Sequence, residues 1–390
     1  MHATDLHFLR YTKRVSVSTR VRTPHIVLAG GGHAHLYSLL RTKKLVQRGF
    51  RVTLIDPSPY LYYSGMATGV ISGAYAPGEN LIDIRRLVEE GGGSFVEDRV
   101  EEIHAESREL LLKTGDSVPY DAASVSLGSE THTDAFADNG ANAIRVKPIQ
   151  HTAEIRRRLL ASTDRPARVL VVGGGAAGCE VAANALALLS RLNPGGEVTL
   201  AETGDSLLPD APKKAREYIH AILREKGARI LTNTSIVSLD RGVARTHDGH
   251  EIPCDLPVLA TGVSPLSKGI FRASRLPTGK DGGLWVDGQL RSVGDGHLFG
   301  GGDCISYRGE ALPRLGVFAV RQGPVIFHNL QAILKNEPLA RYKPQERFLY
   351  ILNLGGGDGL AVYGPLVWRG RLAWKLKHHI DQRFVKSFKP

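Results

Sequence analysis

Cysteine is scarce in this 390-residue chain. The three residues Cys179, Cys254 and Cys304 lie far apart, without the spacing of a redox pair, a zinc site or a disulfide framework. That excludes a small disulfide-stapled fold and suits a reducing compartment. Long uncharged runs are scarce too. The longest, VLVVGGGAAGCEVAANALALL (169–189), still carries Glu180, and its aliphatic start followed by six Gly or Ala reads as strand, turn and helix rather than a membrane span. Acids are nearly absent from both ends. Residues 1–24 net +4 and residues 365–390 net +6, leaving only +1 for the 340 residues between. A nucleic-acid-binding protein would carry its charge on the folded body, so none is expected here, and the charged ends point to a surface anchor or tail. The start, MHATDLHFLRYTKRVSVSTRVRTP, has no apolar core for a secretory signal; it reads as a disordered basic extension (1–23) or a transit peptide. The pairs His33-x-His35 and His378-His379 lack helical i, i+4 ligand spacing, and no metal is expected.

Glycine is abundant, 44 residues clustered in short runs, and two of the runs belong to a repeat. The first copy is a strand HIVLAG, a turn GGHAH, a helix starting LYSLLRTKKL and a strand RVTLID. The second is RVLVVG, GGAAG, CEVAANALALLSRL and EVTLAE. Each ends on an acid: Asp56 lies 26 residues after Gly30, and Glu202 lies 29 after Gly173. This is the chemistry a dinucleotide needs. A glycine makes the tight turn, a second lets the backbone approach a pyrophosphate, the helix N-terminus favours the anion, and the acid accepts from ribose hydroxyls. The second copy, Gly173, Gly175 and Gly178, is complete. The first has Gly30 and Gly32, but His35 stands where the third glycine belongs. That glycine serves helix–strand packing rather than phosphate contact, so a variant site is expected, with His33 and His35 beside the pyrophosphate or ribityl chain. After each unit the pattern reads as a β-meander and then a short apolar strand, ending in Gly128 or Gly262. Downstream, GHLFGGGDCISY (296–307) is either an ordinary glycine turn or a second flavin contact through Gly302 and Asp303; beside two nucleotide units the second reading is preferred.

These segments resemble the flavoproteins with two dinucleotide-binding domains, the pyridine nucleotide–disulfide oxidoreductase superfamily. Within it the chain looks most like type II NADH dehydrogenases, and like the FAD-containing subfamily found fused to selenide, water dikinase. The resemblance runs from about residue 24 to the C-terminus and includes YYSGMATGVISGAY, YDAASVSLGS, FGGGDC and GVFAVRQGP. It implies an α/β fold of two Rossmann-like domains, an FAD domain (24–150 and 265–335) split by an inserted NAD(H) domain (151–264). A small C-terminal β-hairpin and a basic amphipathic helix would follow (336–390). It implies that Gly30, Gly32 and Asp56 hold the adenosine half of FAD, that Gly302 and Asp303 hold its pyrophosphate and ribityl chain, and that Gly173, Gly175, Gly178 and Glu202 bind NADH. Glu180 matches an acid that the family places beside the nicotinamide; an exposed helix acid is the alternative. Glu202 repels a 2′-phosphate, so NADH is preferred to NADPH.

The loop PYLYYSGMATG carries no cysteine, and no His–Glu acid pair is found downstream, which speaks against a disulfide reductase. The three thiols read as buried and inert rather than as the working set of a sulfide:quinone reductase. Direct transfer remains, from NADH through FAD to a quinone or another small acceptor. Alternative acceptors are a protein carrier or a sulfur or selenium compound, and a non-turnover binding module is the competing class. GVFAVRQGP agrees with the quinone motif AQxAxxQG at Ala319, Gln322 and Gly323, whereas Gly316 and Val317 replace its Ala and Gln. Arg321 and Gln322 are the candidates for contact with flavin or acceptor; a helix capping the flavin pocket is the alternative. In the tail, Ala373, Leu376, Ile380, Phe384 and Phe388 form one apolar stripe, on which Lys377 intrudes, with basic residues opposite. The expectation is an anionic membrane surface as partner, with the body or a second subunit of a homodimer as the alternative. The protein would be cytoplasmic and peripheral on the inner face of the membrane, or organellar if residues 1–23 are a transit peptide.

Overall fold

The computed structural model describes residues 22–389 except 133–136, 139, 162–165, 193–194 and 310. Most of the basic N-terminal extension, and with it the transit-peptide reading, lies outside the described residues.

The run Ile26-Val27-Leu28-Ala29 is apolar on both faces, which suits a central parallel strand covered on both sides. The strand His25–Ala29 is buried throughout and pairs in parallel with Arg51–Asp56 on one side and Ala122–Val125 on the other. Ser94–Glu97 and Leu298–Gly300 complete a five-stranded parallel sheet. The last of these strands comes from far downstream, so the first nucleotide domain is split in sequence as expected. The second unit repeats the order: Ile144–Arg145, Leu256–Leu259, Arg168–Val172, Glu197–Ala201 and Arg229–Leu231, again all parallel. Between the two sheets the chain crosses twice, and the crossing strands Ser129–Thr131 and Val263–Pro265 pair antiparallel.

Two boundaries differ from expectation. Residue 150 is not the limit of the first domain, because Ala137–Asp138 pairs with Ile236–Asp240 and Ile144–Arg145 with Leu256–Leu259, both in the second unit. The C-terminal hairpin is a three-stranded meander, Leu349–Asn353, Gly359–Tyr363 and Leu366–Arg369. Its third strand follows the turn at Gly364-Pro365.

Four helices position the site. Helix α1 (Ser64–Ser72) follows the first unit, α2 (Ala176–Leu192) is the helix of the second, α3 (Gly316–Lys335) follows the downstream glycine turn, and α4 (Arg371–Lys386) ends the chain. The apolar residues of the meander, among them Leu352, Leu360 and Val367, join the core of the second unit. Val385 of α4 packs with Met66, Val70 and Tyr75, and Phe388 joins the first core. The C-terminal segment therefore spans both units. Among the described residues no helix is long and apolar enough to cross a membrane.

The expected single stripe of α4 is divided between two faces. Ala373 and Phe388 are buried and Phe384 is half-buried, as expected, but Lys377, Asp381 and Val385 share that inner face. Leu376 and Ile380 point outward with Leu372, at 38%, 42% and 78% exposure.

Candidate functional site

The glycine turn of the first unit is pressed against the end of the neighbouring strand. Gly30 has φ +86°, and a Cβ there or on Gly32 would stand 2.5 Å from the carbonyl oxygen of Ser126. Only glycine fits both conformation and space. Asp56 closes the turn from the next strand: one carboxylate oxygen accepts from Gly31 N–H at 2.7 Å and the other from Ser58 N–H at 2.9 Å. Burial pushes its pKa up, against the pull of those two amides.

The turn opens on a cavity of about 760 Å³, large for a small-molecule pocket and of the size a dinucleotide needs. Asp56 and Arg99 line it on one side; Gly302, Asp303 and Lys147 line it elsewhere. Asp303 Oδ2 accepts from Ser129 Oγ at 2.6 Å and from Lys147 Nζ at 2.7 Å. Burial would raise its pKa, but the ammonium and the hydroxyl outweigh burial and hold it below the usual carboxylate range. His33 lines the cavity with its Nε2 buried and unpartnered. Burial, helped by Lys147, drives its pKa down to about 4, so the ring is neutral. A glycine cradle, an acid at the strand tip and an orphaned ring nitrogen together fit FAD.

His35 is not on this cavity, contrary to expectation. Its buried ring donates from Nδ1 to the Gly30 carbonyl at 2.6 Å, and Nε2 accepts from Ser124 Oγ at 2.8 Å. Burial lowers its pKa to about 4. It braces the glycine turn from behind. The second unit shows why glycine is dispensable here and not there. The helix at Gly178 has already begun at Ala176, and a Cβ on Gly178 would collide with the Gly173 carbonyl. In the first unit the helix Leu36–Leu39 starts only after His35, which leaves room for the imidazole.

The second turn is otherwise built the same way. Glu202 accepts from Gly174 N–H at 2.5 Å and from Gly204 N–H at 2.7 Å. A Cβ on Gly175 would meet nothing within 4 Å, which leaves the backbone open to an approaching phosphate. Gly128 lines the cavity, whereas Gly262 lies at the paired crossing strand, near His132.

Glu180 is not an exposed helix acid. Its Oε1 accepts from the Asn353 N–H at 2.6 Å. Burial raises its pKa to about 7, with Lys377 and the Asn353 amide opposing. Arg321 and Gln322 do not line the cavity. Arg321 is exposed, and Gln322 is buried with its Oε1 accepting from Gly302 N–H at 2.7 Å, so it supports the downstream glycine turn. The three cysteines are free and buried, and burial raises their pKa values, that of Cys254 to about 11 and that of Cys304 to about 12.

Lys147 and Ser129 were missed by sequence reasoning. Ser129 sits on the first crossing and Lys147 just after the first strand of the second unit, and no local pattern announces a pair from Lys147 to Asp303 across 156 residues. Tyr63 and Asp381 were also missed; a charge on an apolar stripe, Lys377, was the signal that pointed to them.

The profile described as pyridine nucleotide-disulphide oxidoreductase matches residues 24–323. The chain is 26% identical over 365 residues to demethylphylloquinone reductase NdbB of Synechocystis, covering 88% of this chain and 89% of that protein. It is 25% identical over 380 residues to the type II NADH:quinone oxidoreductase of Haemophilus influenzae, covering 83% of each. The solved structure of NDH2 from Plasmodium falciparum in complex with NADH shares the fold, with a TM-score of 0.79 at 16% identity over 93% of this chain and 96% of that one.

Proposed function

The chain belongs to the pyridine nucleotide-disulphide oxidoreductase family, and from that premise we propose that it is an FAD-dependent NADH dehydrogenase with a quinone as acceptor. One observation carries the reading. Two strand–glycine–helix–acid units lie in one body, and no cysteine lines the 760 Å³ cavity on which the first unit opens. With every thiol buried, electrons have no protein relay to follow. FAD, held at the first turn, would supply the hydride acceptor and electron carrier that joins NADH oxidation to acceptor reduction without a protein relay. The overall balance is NADH, a proton and a quinone giving NAD⁺ and a quinol. Asp56 and the turn at Gly30–Gly32 would hold the adenosine half of FAD, and Gly302, Asp303 and Lys147 its other half. Glu202, held at the second turn, favours NADH over a nucleotide with a 2′-phosphate. The named activities of the two relatives support the quinone. The outward stripe Leu372–Leu376–Ile380, flanked by Arg371, Lys375, His379 and Arg383, supports docking on an anionic membrane surface, where quinones reside.

The test is anaerobic. The purified protein should carry flavin, NADH should bleach its absorbance, and a short-chain quinone should restore it. Flavin that NADH leaves oxidised would remove the dehydrogenase reading; bleached flavin that no quinone reoxidises would remove the quinone.

A further inference from the structure

Helix α4 hides an ion pair on the face that would be expected to be apolar. Lys377 and Asp381 stand one turn apart with Nζ 2.9 Å from Oδ2, and their side chains are only 10% and 5% exposed. Burying two charges is costly unless further hydrogen bonds complete them, and both are completed by Tyr63 and Gly65 at the start of α1. Lys377 Nζ donates to the Gly65 carbonyl at 2.7 Å, and Tyr63 donates its hydroxyl to Asp381 Oδ1 at 2.9 Å. Helix docking alone would not need this, because Ala373, Val385 and Phe388 already pack α4 through apolar contact.

Ser64, between Tyr63 and Gly65, lines the cavity. The Tyr63 ring lies between α4 and the cavity: it stacks on Phe384 at 4.7 Å and meets the His33 ring at 5.8 Å. His33 and Ser64 line the cavity, and Gly316, the first residue of the helix that carries the partial quinone motif, approaches both. A Cβ there would stand 3.7 Å from His33 Cδ2 and 3.9 Å from Ser64 Oγ. The line Asp381–Tyr63–His33 therefore ends at the junction of cavity and α3, while the charges of Lys377 and Asp381 also act on Glu180 of α2.

We propose that Asp381 is a positioning residue for acceptor reduction: through the Tyr63 hydroxyl and Lys377 it fixes the Tyr63–His33 side of the cavity, where the acceptor meets the flavin. The C-terminal helix then supports the site from behind Tyr63 and is also a surface element. This rests on the NADH–FAD–quinone reading, and it predicts a separation of the two half-reactions.

The experiment is stopped-flow on the flavin-loaded full-length protein and its D381N, Y63F and double variants. NADH bleaching and reoxidation by a short-chain quinone are measured separately. Displacing a positioned group costs large factors in rate even without loss of binding. Reoxidation should slow about tenfold in D381N and severalfold in Y63F, the double variant should be no slower than D381N, and bleaching should stay within about twofold of wild type in Y63F, which leaves the charges around Glu180 in place. Unchanged reoxidation, effects of the two substitutions that multiply in the double variant, or equal loss in both half-reactions with loss of flavin would overturn it. If D381N does not fold, Y63F decides alone, since it keeps the ring and removes only the hydroxyl. A wild-type flavin that NADH does not bleach sinks the parent reading, and this inference with it.

Discussion

At the scale of single residues, burial and partners set what each titratable group contributes. Glu180 is the clearest case. Burial raises its folded pKa to about 7 from an ordinary 4.5. Below pH 4.5 the carboxyl is protonated in folded and unfolded chains alike, and it costs nothing. As pH rises toward 7 the unfolded chain releases the proton while the folded one retains it, so stability falls through that window and levels off above it. Glu180→Gln has no proton to lose. The variant should gain on wild type between pH 5 and pH 8, by on the order of 2 kcal/mol, in urea midpoints of the flavin-loaded proteins. A gap that stays constant across those pH values would mean that Glu180 ionises normally and is not poised near neutrality beside the nicotinamide unit. His35 works in the opposite sense. Its folded pKa of about 4 lies below the ordinary 6.5, so its contribution is complete above pH 6.5 and is lost as pH falls toward 4.

At the scale of elements, the two nucleotide units differ in where their helices begin, and the difference decides what the third position of the motif tolerates. In α2 the helix has formed before Gly178, so Gly178→Ala drives a methyl group into the Gly173 carbonyl. The expected cost is about 1–3 kcal/mol in unfolding, with weaker NADH binding in a titration that follows nicotinamide fluorescence. Equal stability and equal affinity would show that the turn relaxes freely. Helix α4 poses a different question, because its two faces do different things. Of the outer residues Leu372, Leu376 and Ile380, Leu372 touches little of the protein. Leu372→Glu should leave the melting temperature unchanged and reduce co-flotation with anionic vesicles by at least about tenfold, since a buried leucine is worth about 1.5–3 kcal/mol and the new charge repels the surface. Flotation equal to wild type would reject α4 as the membrane contact. The division of α4 was only half legible in the sequence. Periodicity gave one apolar stripe and marked Lys377 as an intruder; Asp381, one turn away, neutralises that charge inside, so the polar residues turn inward and two of the stripe's aliphatics turn out.

At the scale of the whole molecule, what the sequence revealed and what it hid follows sequence distance. Each strand–glycine–helix–acid unit lies within about 30 residues of chain, so both units and the acids Asp56 and Glu202 were readable locally, whereas the split of the first domain came only from the family resemblance. The brace from His35 to Ser124 spans 89 residues, and the pair from Lys147 to Asp303 spans 156. Such contacts exist only after two crossings have brought separate segments together, and nothing in the local pattern encodes them. The early entry into the second unit was missed for the same reason: a two-residue strand such as Ile144–Arg145 has no period to detect. The cavity inherits this non-local construction. Its wall comes from the first unit at Gly30–His33 and Asp56, from Ser129 and Lys147, and from the returning chain at Leu266 and Asp303. A flavin bound there touches the first unit, Ser129, Lys147 and the returning chain together, and it should act as a staple on the whole fold. Stripping the flavin should therefore lower the melting temperature as one transition rather than melt one unit early. Adding FAD back at about a hundred times its Kd should restore about 2.7 kcal/mol. FMN, which lacks the adenosine half and cannot reach Asp56 while filling the region of Lys147 and Asp303, should restore less. A melting temperature indifferent to FAD, or restored equally by FMN, would show that the cavity does not hold the extended dinucleotide between Asp56 and Asp303.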